Sequence, residues 1–366
     1  MSIQKIDINT FLDLAASAIV LDVRSPGEYK QAHIPDAHSL PLFTDEERKV
    51  VGTAYKQQSR ETAIKIGLDY FGAKMKAMVE EVEGICNPGS VKKDSASRDP
   101  KLISNPQTLI VHCWRGGMRS AAVAWLLDLY GFKVYQLTGG YKAYRKWVLA
   151  QFEKDYLFNI IGGYTGSGKT LLIQELVKQQ KSVIDLEALA NHKGSAFGAV
   201  GTQPRQEMFE NLLAQKLAML STVNCNPSTS IYLEDESQRI GNLQLPMPLW
   251  YSMRKCPVFF IDIPFEERLN FITEEYSKTE KEKLVTAIMR IQKRLGGLDT
   301  KNAINYLLED NFTECFRILL KYYDKWYNKA LENRENLPAL LNKIACSSVD
   351  TATNIQKLLT CSTVNA

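Results

Sequence analysis

Tyr156-Leu157-Phe158-Asn159-Ile160-Ile161 runs directly into Gly162-Gly163-Tyr164-Thr165-Gly166-Ser167-Gly168-Lys169-Thr170. The first six residues read as a buried strand. The next turn is glycine-rich, and an apolar-periodic helix is predicted from about Lys169 to Gln180. Gly163–Thr170 fits G-x-x-x-x-G-K-[ST], and the strand before it and helix after it are the context that a phosphate loop requires. Glycines lack the Cβ that would keep backbone N–H groups from converging on phosphate oxygens. The phosphate-binding set is therefore expected to be Gly163, Thr165, Gly166, Ser167, Gly168, Lys169 and Thr170. The helix N-terminus adds partial positive charge and Lys169 a full one, and Thr170 offers a hydroxyl to Mg²⁺. The pattern does not identify the phosphorylated molecule.

Outward from this loop, strands are expected at Ser182–Asp185, Ser230–Glu234 and Pro257–Asp262. An almost wholly helical run follows from Pro264 to Asn333, then a strand at Lys343–Ser347 and a helix at Thr351–Leu359. Ile231-Tyr232-Leu233-Glu234-Asp235-Glu236 ends in three acids where a phosphate-loop fold keeps its metal-side carboxylate. Alternation along a strand puts Glu234 and Glu236 on one face. Arg239 follows, either to neutralise a phosphate or to pair with those acids. Asp185 and Glu187 are expected in the same crevice, at the carboxyl ends of the strands.

The N-terminal part shows a second alternation of short apolar runs and helical patterns. Ala18–Val23, Leu109–His112 and Lys133–Leu137 read as strands, with a helix over Ser120–Tyr130. Such alternation implies a parallel sheet covered by helices. Residues 44–107 read as an inserted helical excursion that ends in a turn-rich, charged loop from Asn87 to Pro100. The boundary falls near 148–156, so the expected domains are 1–150 and 151–366.

His112-Cys113-Trp114-Arg115-Gly116-Gly117-Met118-Arg119-Ser120 follows directly on the buried strand Leu109–His112. A cysteine in a short glycine-containing loop before a helix has three supports for a thiolate. These are convergent N–H groups, the helix N-terminus, and the charges of Arg115 and Arg119. Cys113, Arg115, Arg119 and Lys169 are the candidate catalytic residues. His112 is expected to pack in the sheet. The other cysteines read as small buried hydrophobes.

The chain has 366 residues, 45% hydrophobic and 23% charged, which excludes wholesale disorder. It contains no apolar run of membrane-spanning length and no basic-then-apolar leader, so a cytoplasmic protein with reduced thiols is expected. Seven scattered cysteines without a CxxC pair signal neither disulfides nor zinc, and the four histidines lack ligand spacing. No side-chain metal site is therefore expected beyond Mg²⁺ at Thr170. Residues 101–150 hold seven Lys/Arg against one acid, while 151–366 hold 25 of each. A basic stretch of this kind favours a polyanionic partner. Within it, Tyr141–Trp147 reads either as an RNA-stacking string or as an amphipathic packing helix.

Three motifs of the first half resemble those of rhodanese domains: Leu21–Tyr29 with His33–Ala37, the Cys113–Met118 loop followed by Arg119, and Leu137-Thr138-Gly139-Gly140-Tyr141. Ala32 and Asp36 stand where rhodaneses commonly carry glycine. A rhodanese-like parallel-sheet domain with a helical insertion, followed by a phosphate-loop NTPase-like α/β domain with a helical C-terminal part, resembles the tRNA 2-selenouridine synthases. Asp185–Glu187, Asn191–Gly198, Gln203-Pro204 with Gln206, and Glu234–Gly241 add to the likeness. The resemblance implies a transferase that alkylates the wobble 2-thiouridine of tRNA with geranyl diphosphate. It then replaces the S-geranyl group with selenium from selenophosphate. It implies tRNA, a prenyl diphosphate and selenophosphate, with its supplying enzyme, as partners, and neither a tightly bound cofactor nor a membrane. Two other classes compete: a small-molecule sulfurtransferase with an ATP/GTP-binding regulatory or kinase domain, and a non-enzymatic tRNA-binding or sulfur-relay module.

Overall fold

Short, continuous apolar runs build both large sheets, as parallel strands buried on two faces require. The computed structural model describes residues 3–87, 108–192, 201–223 and 230–364. Its contacts divide the chain into two units, 1–150 and 151–366. No helix among the described residues is long and apolar enough to cross a membrane.

The first unit runs β1 (Gln4–Ile6), α1 (Ile8–Ala15), β2 (Ile19–Asp22), α2 (Pro26–Gln31), β3 (His38–Ser39), α3 (Asp45–Gln57), α4 (Arg60–Cys86), β4 (Thr108–His112), α5 (Met118–Tyr130), β5 (Lys133–Leu137) and α6 (Gly140–Gln151). Its sheet has the order β1-β5-β4-β2-β3, parallel throughout. β4 lies in the middle, with Val111 opposite Leu21 on one side and Gln136 on the other. Residue 113 therefore leaves the sheet at the carboxyl end of a central strand. The edge strands β1 and β3 have three and two residues, too few for a periodic signal.

The insertion is more than an excursion. Thr44 caps α3 and Glu47 returns the bond to its N–H, a reciprocal capping box, and Ser59 caps α4. Along α4, Phe71, Met78, Val79, Val82 and Cys86 join Leu109, Val111, Val123 and Leu127 in one apolar core. Spacings of three, four and seven residues keep these side chains on one helix face. The expected loop from Pro88 onward lies outside the described residues, as do Lys193–Gly198 and Cys225.

The aromatic-basic string forms α6. Tyr141 and Tyr144 are fully buried, so they are packing residues and present no stacking surface to RNA. Arg24 lies 3.8 Å over the Tyr141 ring, and Phe11 meets Tyr144 edge-on.

The second unit runs β6 (Phe158–Gly162), α7 (Lys169–Lys178), β7 (Val183–Ile184), α8 (Leu186–Leu189), α9 (Gln206–Val223), β8 (Ile231–Glu234), β9 (Arg239–Ile240), β10 (Leu243–Gln244), α10 (Met247–Arg254), β11 (Val258–Asp262), α11 (Phe265–Tyr276), α12 (Lys281–Leu295), α13 (Gly297–Leu308), α14 (Phe312–Glu332), α15 (Leu337–Leu340), β12 (Leu341–Ala345) and α16 (Thr351–Val364). Its parallel sheet has the order β12-β11-β6-β8-β7, with β6 central. β12 begins two residues earlier than the sequence pattern suggests and closes one edge. The small antiparallel β9–β10 pair turns at Gly241, whose φ of +61° suits glycine. Helices α11 to α14 share a core of their own around Leu269, Ile288, Phe316 and Leu320.

Candidate functional site

In the second unit the loop leaves β6 and turns back through three glycines of positive φ, Gly163, Gly166 and Gly168. A Cβ at Gly163 would stand 2.6 Å from Ser167 Oγ and 3.0 Å from Ile261 O, so no other residue permits this turn. Lys169 opens α7 and folds back over the loop, with Nζ donating to Gly163 O at 2.8 Å. Ser167 Oγ is buried without a hydrogen-bond partner.

Thr170 Oγ1 lies 3.2 Å from Glu187 Oε2 and 3.3 Å from Glu234 Oε1. Glu187, Glu234 and Glu236 bring carboxylate oxygens within 4.8 Å of one another. Burial, with the charges of Glu187, Glu236 and Asp185, raises the Glu234 carboxyl well above its ordinary range. Burial and Glu187 push Glu236 up to about 8. Crowded carboxylates hold protons unless a cation neutralises them. Glu234 Oε2 is buried with no hydrogen-bond partner, and all the donors are hard oxygens, so a hard divalent cation such as Mg²⁺ fits the set. The donors are carboxylates gathered from α8, β8 and the residues beyond it, beside the Thr170 hydroxyl where Mg²⁺ is expected.

Two further candidates make local hydrogen bonds. Asp185 spends an oxygen on capping α8, accepting from Ala188 N at 2.7 Å, and adds only charge to the cluster. Arg239 is exposed on the β9–β10 pair and donates to Gly241 O, and no ion pair joins it to Glu234–Glu236. Asp235 points away from its acidic neighbours. It accepts from Tyr327 at 2.8 Å and from Arg334 at 2.7 Å.

The phosphate loop is braced by residues that sequence reading missed. Tyr327 Oη accepts from Gly163 N at 3.1 Å, and Tyr164 donates to Asn328. Arg268 donates to Thr165 O while bound through two nitrogens to Asp324. These residues are about a hundred or more positions from the loop, and no local motif marks them.

In the first unit the cysteine loop is pinned from behind. Tyr141 N donates to Cys113 O at 2.8 Å, and Lys142 N to Trp114 O at 3.0 Å. Gln136 donates to Gly116 O and to Ser120 Oγ. A Cβ at Gly140 would lie 2.2 Å from Cys113 O and 2.5 Å from Gly116 N, and its φ is +55°. Gly140→Ala is therefore expected to destabilise this unit by about 1–3 kcal/mol or more and to displace the loop. A urea midpoint equal to that of the parent protein would contradict this packing.

Asp22 and Arg24 form a fully buried pair at 2.6 Å, and Arg24 also donates to Ala32 O. Thus the opening motif is tied to the closing one through the Arg24–Tyr141 stack. Asp36 keeps the turn that glycine usually makes, at φ +64°. Aspartate tolerates the left-handed region better than most residues. His112 is buried in the sheet, and neither ring nitrogen has a hydrogen-bond partner.

Cys113 Sγ is 3.3 Å from Ser120 Oγ. Burial pushes its thiol up. Hydrogen bonds from the Ser120 hydroxyl and from the N–H groups of Ser120 and Arg115, with the Arg119 charge behind them, leave it below the ordinary thiol. The lowering thus comes mainly from a hydroxyl and backbone donors, not from the two guanidinium groups. Arg119 is engaged by Glu28 at 2.8 Å, which also binds Arg48. Burial raises Glu28, but Arg119, Ser25 N and Arg48 outweigh it and bring the carboxyl down to about 2. The rate of Cys113 alkylation by iodoacetamide is expected to titrate below the free-thiol value of about 8.5. Ser120→Ala should move that midpoint up, and a midpoint of 8.5 or more in the parent protein would contradict this assignment.

Comparison with known families agrees with both halves. Residues 9–146 match the rhodanese-like domain, and 157–345 match the tRNA 2-selenouridine synthase AAA domain. A tRNA 2-selenouridine synthase of Nitrosomonas europaea is 38% identical over 279 residues, covering 75% of this chain and 67% of that protein. Those of a Sulfurovum species and of Marinobacter nauticus are 32% and 31% identical. The first alignment covers 86% of this chain and 88% of the relative, the second 90% and 93%.

Proposed function

Because the chain belongs to the tRNA 2-selenouridine synthase family, we propose that it converts the wobble 2-thiouridine of tRNA into 2-selenouridine in two steps. First, the C2 sulfur attacks the isoprenyl carbon of geranyl diphosphate. An S–C bond forms, the C–O bond to diphosphate breaks, and N3 gives up its proton. Second, selenium from selenophosphate adds at C2 and geranyl thiol leaves. Water takes the phosphoryl group from selenium as phosphate, and N3 regains a proton.

The observation that carries this reading is the presence in one chain of two intact loops with different chemistry. One is a glycine-turned phosphate cradle beside an acidic, hydroxyl-bearing crevice. The other is a cysteine loop with a lowered thiol. In the first step the Gly163–Thr170 backbone and Lys169 receive the charge that develops on the departing diphosphate. Mg²⁺ held by Thr170 and the Glu187, Glu234 and Glu236 carboxylates would neutralise part of that charge. Alkylation turns sulfur into a far better leaving group than a bare sulfide. In the second step Cys113 handles the incoming selenium, with Ser120, Arg115 and Arg119 shaping its charge.

Nucleoside mass spectrometry tests the proposal. Purified protein, 2-thiouridine tRNA and geranyl diphosphate should yield the S-geranyl nucleoside, and adding selenophosphate should convert it to 2-selenouridine. A protein that ignores the isoprenoid and hydrolyses ATP steadily without tRNA would refute it.

A further inference from the structure

A cavity of about 790 Å³ opens in the first unit between α3, α4 and the Cys113 loop. Phe43, Val51, Ile64, Leu68 and Phe71 supply apolar wall, and Cys113 belongs to the same lining. Several of its apolar side chains are left in water: Leu68 is 58% exposed, Tyr55 54% and Met118 52%. Apolar surface gathered around a concavity and left uncovered marks a binding site. Lys49, Lys56 and Arg115 add cationic groups to the lining. Selenophosphate explains little of this. It is a small, highly charged anion, and an apolar wall offers it nothing.

We propose that this cavity binds the isoprenyl chain of the S-alkylated uridine, and so brings C2 of that nucleoside to Cys113 for the selenium step. The inference rests on the two-step reading above and adds a second isoprenoid site, lined by residues of the cysteine-bearing unit. The volume lies within the roughly 300–1,000 Å³ of small-molecule pockets, enough for a linear ten-carbon chain and the base that carries it. The cationic groups suit the phosphates of the attached tRNA. The helical pair α3–α4, which supplies most of the wall, thereby gains a purpose beyond its share of the core. Each buried methylene is worth roughly fourfold in affinity. The unalkylated thiouridine is then a poor occupant, and selenium meets only the product of the first step.

Gly52 offers a clean test. It lines the cavity from within α3, and a Cβ built there meets nothing within 4 Å, so a larger side chain grows into open space. Gly52→Phe should leave geranylation of 2-thiouridine tRNA unchanged. It should lower kcat/KM for selenation of purified S-geranyl tRNA by at least about tenfold. The parent protein should prefer S-geranyl over S-methyl tRNA in selenation by roughly 100-fold or more, and the variant should lose most of that preference. Leu68→Glu, at an exposed position, should act in the same direction. Equal selenation of S-methyl and S-geranyl tRNA by the parent protein would overturn the cavity assignment while leaving the two-step reading intact. So would an unchanged preference in both variants. Failure of the parent protein to convert S-geranyl tRNA at all would overturn the two-step reading and this inference with it.

Discussion

Lys169→Ala is expected to lower S-geranylation of 2-thiouridine tRNA by about 10²–10³-fold or more, the loss typical when one preorganised donor to a developing anion is removed. The diphosphate accumulates charge as its C–O bond breaks, and Lys169 is the cation at the loop. Its Nζ is already gathered there, donating to Gly163 O at 2.8 Å and reaching Tyr164 O at 3.4 Å. The backbone N–H groups remain in the variant but carry only partial charge. Lys169 also acts on the neighbouring Glu234 and Glu236 carboxyls, so its loss removes positive charge from the crevice as well as from the loop. Single-turnover formation of the S-geranyl nucleoside reads the effect directly. Selenation of tRNA already carrying the S-geranyl group should survive, because that step is assigned to the other unit. Geranylation at the parental rate would mean that the loop grips something other than the leaving diphosphate.

Cys113→Ala should give the complementary defect. Geranylation proceeds, the S-geranyl nucleoside accumulates, and 2-selenouridine falls to background. The substitution removes one sulfur from a buried site whose remaining contacts are backbone bonds, Tyr141 N to Cys113 O among them, so the loop should keep its path. The Ser120 hydroxyl loses its sulfur partner but keeps Gln136 and Gly117 O. A fold defect is therefore not expected to mask the chemical one, and an unchanged thermal midpoint would verify this. Selenouridine at normal yield from Cys113→Ala would remove the cysteine from the mechanism.

Much of the architecture is legible in the chain because both sheets are parallel and buried. A continuous run such as Leu109–His112 or Phe158–Ile161 has few alternatives to a central strand. What escaped reading is short or remote. β1 and β3 are too brief for a pattern, and the β9–β10 pair hinges on a single glycine. Glu28 is visible as part of a motif, yet its partnership with Arg119 spans 91 residues.

By itself the order of residues determined the two loops. Glycines at 163, 166 and 168, and at 116 and 140, stand at positive φ, a backbone conformation that other residues resist. Lysine, threonine and cysteine are set beside them by covalent spacing alone. The tertiary structure decided which charges act on which groups, because Coulomb interactions depend on distance in space and not along the chain. It placed Glu187 against Glu234 and Glu236, turned Asp235 toward Tyr327 and Arg334, and engaged Arg119 with Glu28. It also opened the apolar cavity beside Cys113, since a void exists only where separate helices and a loop stop short of closing on one another.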